Sequence, residues 1–368
     1  MSDHIPAPHP TDLAPRLLPW FEAHGRDMPW RLDHHPYRLL VAVIMLQQTQ
    51  VATVIPYHRR FLRAFPSLRA LAVAPVEDVL KLWEGLGYYS RARNLHRAAQ
   101  VIMAAHGGRV PRTDRELRAL PGVGAYTAAA VRSIAFDEPV AAIDGNVLRI
   151  LSRVFWLPGG GREGKEKQRA EGLAQAAVPP DHPGDYNQAL MDLGAVVCTP
   201  RAPQCGVCPL GDLCRAYARG QAEAIPPRRR AALRTVHAVA GLVRKGGKLL
   251  LAQRPREGIW GGLWELPNVE LADGADPAEA FAAYLREALG LQVELSDARA
   301  THTYAVTNRQ VRLTVLSGTV LGGRIRCREH TCARWFAPGE LETVALPAPH
   351  RKVLAAAAGG AAVGGAGY

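Results

Sequence analysis

Four cysteines constrain this chain more than any other feature. Cys198, Cys205, Cys208 and Cys214 fall within the 17 residues of "CTPRAPQCGVCPLGDLC", spaced C-x6-C-x2-C-x5-C. Proline and glycine bend the backbone between them, so four thiolates can converge on one centre. Soft sulfur ligands suit zinc or an iron–sulfur cluster. Zinc ribbons usually pair two C-x2-C knuckles across a longer loop, and only one such knuckle occurs here. The spacing therefore leans modestly to iron–sulfur and leaves zinc open. Cys327 and Cys332 lie far downstream and read as structurally incidental.

The cysteine segment closes a helical region. Amphipathic stretches broken by Pro and Gly recur at 13–24, 37–46, 50–64, 76–83, 91–106, 114–119, 125–136, 147–156, 165–176 and 186–196. Residues 1–224 form one expected domain, and a Pro- and Arg-rich linker spans 225–235. From 236 the pattern changes to strand-like runs around Gly246-Gly247, a helix in "PAEAFAAYLREALG" and a strand in "VRLTVLSGTV". The expected second domain, α+β, runs over 236–346. The Ala/Gly-rich stretch 347–368 reads as a low-complexity tail.

Charge bears on partners. Lys and Arg number 45 against 33 Asp and Glu, a net +12, which draws polyanions and points first to nucleic acid. The longest clean apolar run, 39–46, is too short to cross a bilayer, and no secretory core stands at the N-terminus. The expectation is a cytoplasmic protein whose cysteines are ligands or free thiols rather than disulfides.

Two further features carry chemistry. "LRALPGVGAYTAAAVRSIAF" reads as helix, glycine turn, helix. Gly122 and Gly124 permit close backbone approach, and the N–H groups opening the second helix form an anion site suited to DNA phosphate. As a bare pattern it equally fits an ordinary helix corner. Asp144, in "AAIDGNVLRI", reads as a helix N-cap or as a carboxylate able to stabilise a sugar cation.

Together with "MPWR" (28–31), "MLQQTQVATVIPY" (45–57), "GLGYYSRARNLH" (85–96), "LPGVGAYTA" (120–128), "DGNV" (144–147) and "NQALMDLGA" (187–195), these features resemble the helix–hairpin–helix DNA glycosylases with an iron–sulfur cluster. Within that superfamily they resemble the MutY-type adenine glycosylases. The resemblance implies a multi-domain fold: an all-α glycosylase domain with a [4Fe–4S] loop at 198–214, plus a smaller α+β MutT-like (Nudix-like) domain that reads the lesion. It also implies a monomeric, nucleoid-associated enzyme that acts on double-stranded DNA with mismatched or oxidised bases. Such an enzyme flips adenine out from opposite 8-oxoguanine or guanine and hydrolyses its N-glycosidic bond.

The roles carried by the resemblance are specific. Gln48 and Tyr88 wedge the duplex, with Gln47 and Thr49 at the orphaned base; Gly122, Val123 and Gly124 hold phosphate. Met28, Trp30, Arg31, Val51 and Gln188 line the base pocket. Asp144 stabilises the oxocarbenium ion with Asn146 beside it, and Tyr126 supports the sugar. A lysine stands at the Tyr126 position in the lyase branch; tyrosine forms no Schiff base, so the expected enzyme is monofunctional. Tyr304, Ala305 and Val306 occupy the place of a Phe-Ser-His lesion-reading signature.

One expected residue is missing. The general acid of the family is a glutamate two residues before the Met-Leu-Gln-Gln, and that position is Val43, preceded by Ala42. No Asp or Glu occurs between Asp33 and Glu77; Glu22 is the nearest preceding glutamate. A positioned acid contributes roughly 10²–10⁴-fold, so weakened adenine chemistry is expected. The alternatives are a glycosylase for thymine or uracil opposite guanine, and a catalytically inactive mismatch-binding paralogue. In the second domain "REALGL" (286–291) lacks the glutamates that hold Mg²⁺ in a Nudix hydrolase, so no nucleotide hydrolysis is expected.

Overall fold

Among the described residues up to 218 the regular structure is helical. A computed structural model describes residues 8–227 and 233–360. The centre of the expected linker, 228–232, and the end of the expected tail, 361–368, lie outside the described residues. In chain order the helices are α1 (Ala14–His24), α2 (Pro36–Leu46), α3 (Val51–Ala64), α4 (Leu68–Val73), α5 (Val76–Leu82), α6 (Ser90–Ala105), α7 (Asp114–Ala119), α8 (Ala125–Phe136), α9 (Gly145–Val154), α10 (Gly164–Ala176), α11 (Pro183–Val196) and α12 (Arg215–Ala218). Proximity divides the chain into two units, Met1–Val73 with Asn94–Arg229, and Ala74–Arg93 with Arg230–Tyr368. The second unit thus takes residues 74–93, which sequence pattern alone assigns to the helical domain.

In the first unit α11 packs against α1, α8 and α9, and α2 packs against α8 and α3. The patterning explains this. Val147, Ile150, Leu151 and Val154 recur at helical spacing on α9 and are all buried. They share a core with Leu13, Leu17, Leu190 and Leu193. α7 starts where Thr113 accepts from the Glu116 backbone N–H at 3.3 Å, and its hydroxyl donates to the Glu116 carboxylate at 2.6 Å, a reciprocal cap. The short α4 has no counterpart among the helices foreseen; its six residues hold less than two turns of periodic signal.

The second unit is a sheet ordered β3-β2-β1-β6-β5, with β4 paired to β1 and β7 to β2. Its strands are β1 (Arg234–Lys245), β2 (Lys248–Gln253), β3 (Trp264–Glu265), β4 (Asn268–Glu270), β5 (Leu291–Val306), β6 (Arg309–Gly323) and β7 (Cys332–Phe336). β1 and β6 run parallel, and β5 and β6 form an antiparallel hairpin. β1 alternates as a two-faced strand should. Val236, Ala238, Ala240 and Leu242 enter one core cluster, while Val239 and Val243 enter another with Phe281, Leu285 and Leu289 of α13 (Pro277–Leu289).

Tyr304, Ala305 and Val306 end β5, paired with Val311, Gln310 and Arg309, so the turn that follows is only Thr307-Asn308. Polar residues in "VELSDARATHTYAV" hide this strand from a hydrophobic count. The stretch 347–368 is not simply a tail, because 348–360 form α14 (Ala348–Gly360). Its His350 and Val353 are buried, so an alanine-rich helix needs only two anchoring side chains.

Gly241 marks the closest approach of β1 to α13: a Cβ there would lie 2.2 Å from Cε1 of the fully buried Phe281. Gly241→Ala should therefore destabilise the second unit by about 1–3 kcal/mol through overpacking. Urea denaturation followed by circular dichroism reads this; an unchanged midpoint would mean that Phe281 is free to move.

Candidate functional site

The hairpin between α7 and α8 positions the first group. Gly122 adopts φ +78, and a Cβ there would meet the Asn94 Cβ at 2.7 Å. Neither constraint admits a side chain. Gly124 is the N-cap of α8 and has no side chain to occupy the first N–H groups of that helix. Those donors and the positive end of the helix dipole are left to an outside anion. Val123 between them is buried and anchors the turn.

In the first turn of α8 stands Tyr126, whose hydroxyl donates to the Met191 sulfur at 3.6 Å. Burial, and secondarily the charge of Asp144, raise its phenol above the usual tyrosine range, so it stays protonated. Asp144 is the N-cap of α9. Its Oδ1 accepts from the backbone N–H groups of Asn146 and Val147 at 2.8 Å each, and Oδ2 accepts from Asn146 Nδ2 at 3.1 Å. Asp144 and Asn146 are hydrogen-bonded to each other, and Tyr126 lies within reach of the Asp144 charge. The approach to Asp144 is fixed from α11: Asn187 accepts from Ala142 N–H at 3.0 Å and donates to the Val140 and Pro183 carbonyls.

The same corner is wired to the cysteine loop. Arg149 donates to Asn146 Oδ1 at 2.9 Å, to the Gly194 carbonyl at 2.7 Å and to the Cys198 carbonyl at 2.8 Å. Arg153, fully buried, donates to the Cys198 sulfur at 3.2 Å and to the Thr199 and Ile225 carbonyls at 2.8 Å. Cys198, Cys205, Cys208 and Cys214 line one cavity. Four thiols around one cavity suit an iron–sulfur cluster as a donor set. Burial pushes the Cys208 thiol up to about 12, so iron binding must displace its proton.

The residues assigned to a base pocket fall on three elements of the first unit. Met28 precedes the 3-10 helix Pro29–Arg31; Val51 opens α3; Gln188 lies on α11. Trp30 is buried and meets the His58 ring edge-on at 5.2 Å. Arg31 donates to Gln188 Oε1 at 2.8 Å. Val43 is on α2, 5 % exposed, and Ala42 beside it is fully buried. The position expected to hold an acid is therefore ordinary apolar core.

At the end of α2 the glutamines diverge. Gln47 donates to the Thr127 hydroxyl at 3.1 Å and anchors the turn to α8. Gln48 is exposed with φ +59, a conformation that costs a side-chain-bearing residue energy and marks functional turns. Thr49 hydrogen-bonds back to the Gln47 carbonyl at 3.5 Å.

In the second unit Tyr88 shows the same strain, φ +47, at 48 % exposure. Arg91 holds its turn by donating to the Leu86, Gly87 and Tyr88 carbonyls. Tyr88, Ser90 and Arg93 line a cleft of about 520 Å³ together with Trp260, Ala305 and Thr307. The three expected lesion-reading residues thus divide: Ala305 and Val306 border this cleft, and Tyr304 packs its ring 5.9 Å from that of Trp260. Arg309 is paired with Glu270. Cys327 and Cys332 are half-buried free thiols.

Sequence reasoning missed Arg26, Asn187, Asp192, Arg149 and Arg153. The signal available was an acid or an arginine interrupting an apolar helical face, as Asp192 does on α11 and Arg153 on α9.

Comparison with known proteins agrees with this geometry. Residues 41–176 match the model of the HhH-GPD superfamily of base excision DNA repair proteins. Residues 198–214 match the iron–sulfur binding domain of endonuclease III, and 238–356 the NUDIX domain. The human (Homo sapiens) adenine DNA glycosylase is 35 % identical over 404 residues, covering 92 % of this chain and 72 % of its own. The mouse (Mus musculus) adenine DNA glycosylase is 41 % identical over 314 residues, covering 71 % of this chain. That match takes in 61 % of the mouse protein, so the chain spans less than two thirds of its length. A solved thermostable thymine-DNA glycosylase superposes with TM-score 0.53 at 30 % identity, over 57 % of this chain and 97 % of that one. No described helix is long and apolar enough to cross a membrane. The match over 198–214 marks this chain as one that carries a [4Fe–4S] cluster. With the hairpin, the Asp144 corner and the cysteine loop in one unit, a NUDIX domain in the other, and 35 % identity across nearly three quarters of the human protein, this chain belongs to the adenine DNA glycosylase family.

Proposed function

We propose that this protein binds double-stranded DNA, extrudes adenine opposite 8-oxoguanine or guanine, and hydrolyses its glycosidic bond slowly, without a general acid at position 43. The observation that carries the reading is the Asp144 corner. A carboxylate held by two backbone N–H groups and an amide, next to a protonated phenol, suits an oxocarbenium ion. The uncapped start of α8 holds a phosphate, and strained Gln48 and Tyr88 enter the duplex. The cleft lined by Tyr88 and Ala305 receives the base opposite the adenine. The cluster, when bound, orders the cysteine loop, and Arg149 and Arg153 tie that loop to the Asp144 corner.

A second reading draws on Val43. Adeninide is a poor leaving group without protonation, whereas a thymine or uracil anion leaves more readily. A site with Asp144 and Tyr126 but no acid suits a pyrimidine opposite guanine. The structural likeness to a thymine-DNA glycosylase supports it.

Single-turnover release from duplexes carrying A opposite 8-oxoguanine, A:G, T:G and U:G separates the two. Under the first reading Val43→Glu raises adenine release by roughly 10²–10⁴-fold, the usual worth of a positioned acid. Fast adenine release by the unaltered chain would remove the claim that position 43 limits chemistry. Release of T or U alone would favour the second reading. Asp144→Asn should lower the rate on whichever duplex is cleaved fastest by roughly 10²–10³-fold. It should leave the melting temperature nearly unchanged, because asparagine caps a helix about as well as aspartate. A large loss of thermal stability with intact turnover would instead make Asp144 a cap only.

A further inference from the structure

The Asp192 carboxylate of α11 is wholly enclosed, its side chain 0 % exposed, and accepts five hydrogen bonds. Oδ1 accepts from Arg26 Nε at 3.0 Å, Arg26 Nη2 at 2.6 Å and Arg31 Nη2 at 3.0 Å. Oδ2 accepts from the Arg26 backbone N–H at 3.0 Å and Arg31 Nη1 at 2.9 Å. Burial opposes ionisation, but the hydrogen bonds from Arg31 and Arg26 outweigh it and hold the carboxyl below its usual range. Arg31 is fixed from further sides: Nη1 donates to the Arg26 carbonyl at 2.7 Å, and its guanidinium lies 4.9 Å over the Phe21 ring. A guanidinium so committed has little left with which to read a base.

What Arg31 does reach is Gln188, one helical turn before Asp192 on α11. Its Nε donates to the Gln188 side chain at 2.8 Å. Arginine has donors and no acceptor, so the amide atom facing it must be the oxygen. The amide NH₂ is thereby turned the other way. Gln188 is 4 % exposed, and its nitrogen has no hydrogen-bond partner among the described residues.

We propose that Asp192 is a positioning residue: through Arg31 it fixes the Gln188 amide with its NH₂ toward the base pocket, so that the pocket reads a hydrogen-bond acceptor on the extruded base. The inference rests on the reading that Gln188 faces that base. Its consequence is a polarity rule. Adenine offers the ring nitrogens N1, N3 and N7, and thymine offers O2 and O4; the adenine amine, a donor, is not what Gln188 recognises. This contact alone therefore accepts either base. It shifts Arg31 from edge reader to clamp.

The test is fluorescence-anisotropy binding of the full chain to duplexes that carry, opposite 8-oxoguanine, adenine, purine, 1-deazaadenine, 3-deazaadenine or 7-deazaadenine. Each sits on a 2′-fluoro sugar so that no base is lost. Purine lacks the amine and should bind within about twofold of adenine, while one deaza analogue should bind roughly tenfold more weakly, the worth of a good hydrogen bond. Gln188→Glu keeps an oxygen for Arg31 but presents an acceptor, so the ranking should invert: purine weakens and the deaza penalty disappears. Asp192→Asn, checked for folding by circular dichroism, should bring the deaza and purine affinities together. A purine penalty with no deaza penalty in the unaltered chain overturns the polarity rule alone. Equal binding of all five duplexes, unmoved by Gln188→Leu, overturns it together with the assignment of Gln188 to the base.

Discussion

The hold on the Asp144 carboxylate is the interaction on which the rest of the first unit depends. It caps α9, a contribution of about 1 kcal/mol to that helix, and three hydrogen bonds hold its side chain. Its position is set from two directions. Asn187 on α11 fastens residues 140–142 ahead of it, and Arg149 ties its neighbour Asn146 to the Gly194 and Cys198 carbonyls. A carboxylate meant to face a developing cation gains most when it need not reorganise as the charge appears. Its rigidity and its helix-capping role arise from the same bonds.

The ordering of the cysteine loop follows from this arrangement. Residues 198–214 contain little regular structure, only a 3-10 turn at Cys205–Val207. Their chain is held by arginines that belong to α9, Arg149 and Arg153. Two buried guanidiniums could not sit among apolar helices unpaired. They find backbone carbonyls and the Cys198 sulfur instead. The loop and the Asp144 corner are thus one polar network running through an apolar core.

Apolar pattern made most of the helical unit legible: α3 buries Val54, His58 and Phe61 at helical spacing, while α2 and α8 are apolar runs buried nearly all round. It failed where the burial signal was thin. α4 is too short, β5 is rich in polar residues on its exposed side, and α14 is built mostly of alanine. The candidate site divides in the same way. Local patterns announced the hairpin glycines, Asp144 and the cysteines. The Asp192 clamp joins residues about 160 positions apart, and no local pattern carries that information. Motif resemblance brought Arg31 and Gln188 to one pocket but assigned both to the base. Only the donor and acceptor inventory shows that one is spent holding the other.

The two sides of the proposed base pocket therefore differ in kind. α11 contributes a fully satisfied ionic clamp and an oriented amide; α2 contributes Val43, a buried apolar side chain. Groups that hold an extruded base equally well before and during bond breaking favour binding without speeding the chemical step. The acid, had it been present, would have acted mainly on the transition state, where charge reaches the leaving nitrogen. Under the proposed function, valine in its place leaves the site recognition and sugar-cation stabilisation, and the burden of the leaving group falls on the base itself. Discrimination between an adenine and a pyrimidine then depends less on the pocket wall than on which anion departs more easily. The same Gln188 NH₂, which finds an acceptor on either base, does nothing to oppose that shift.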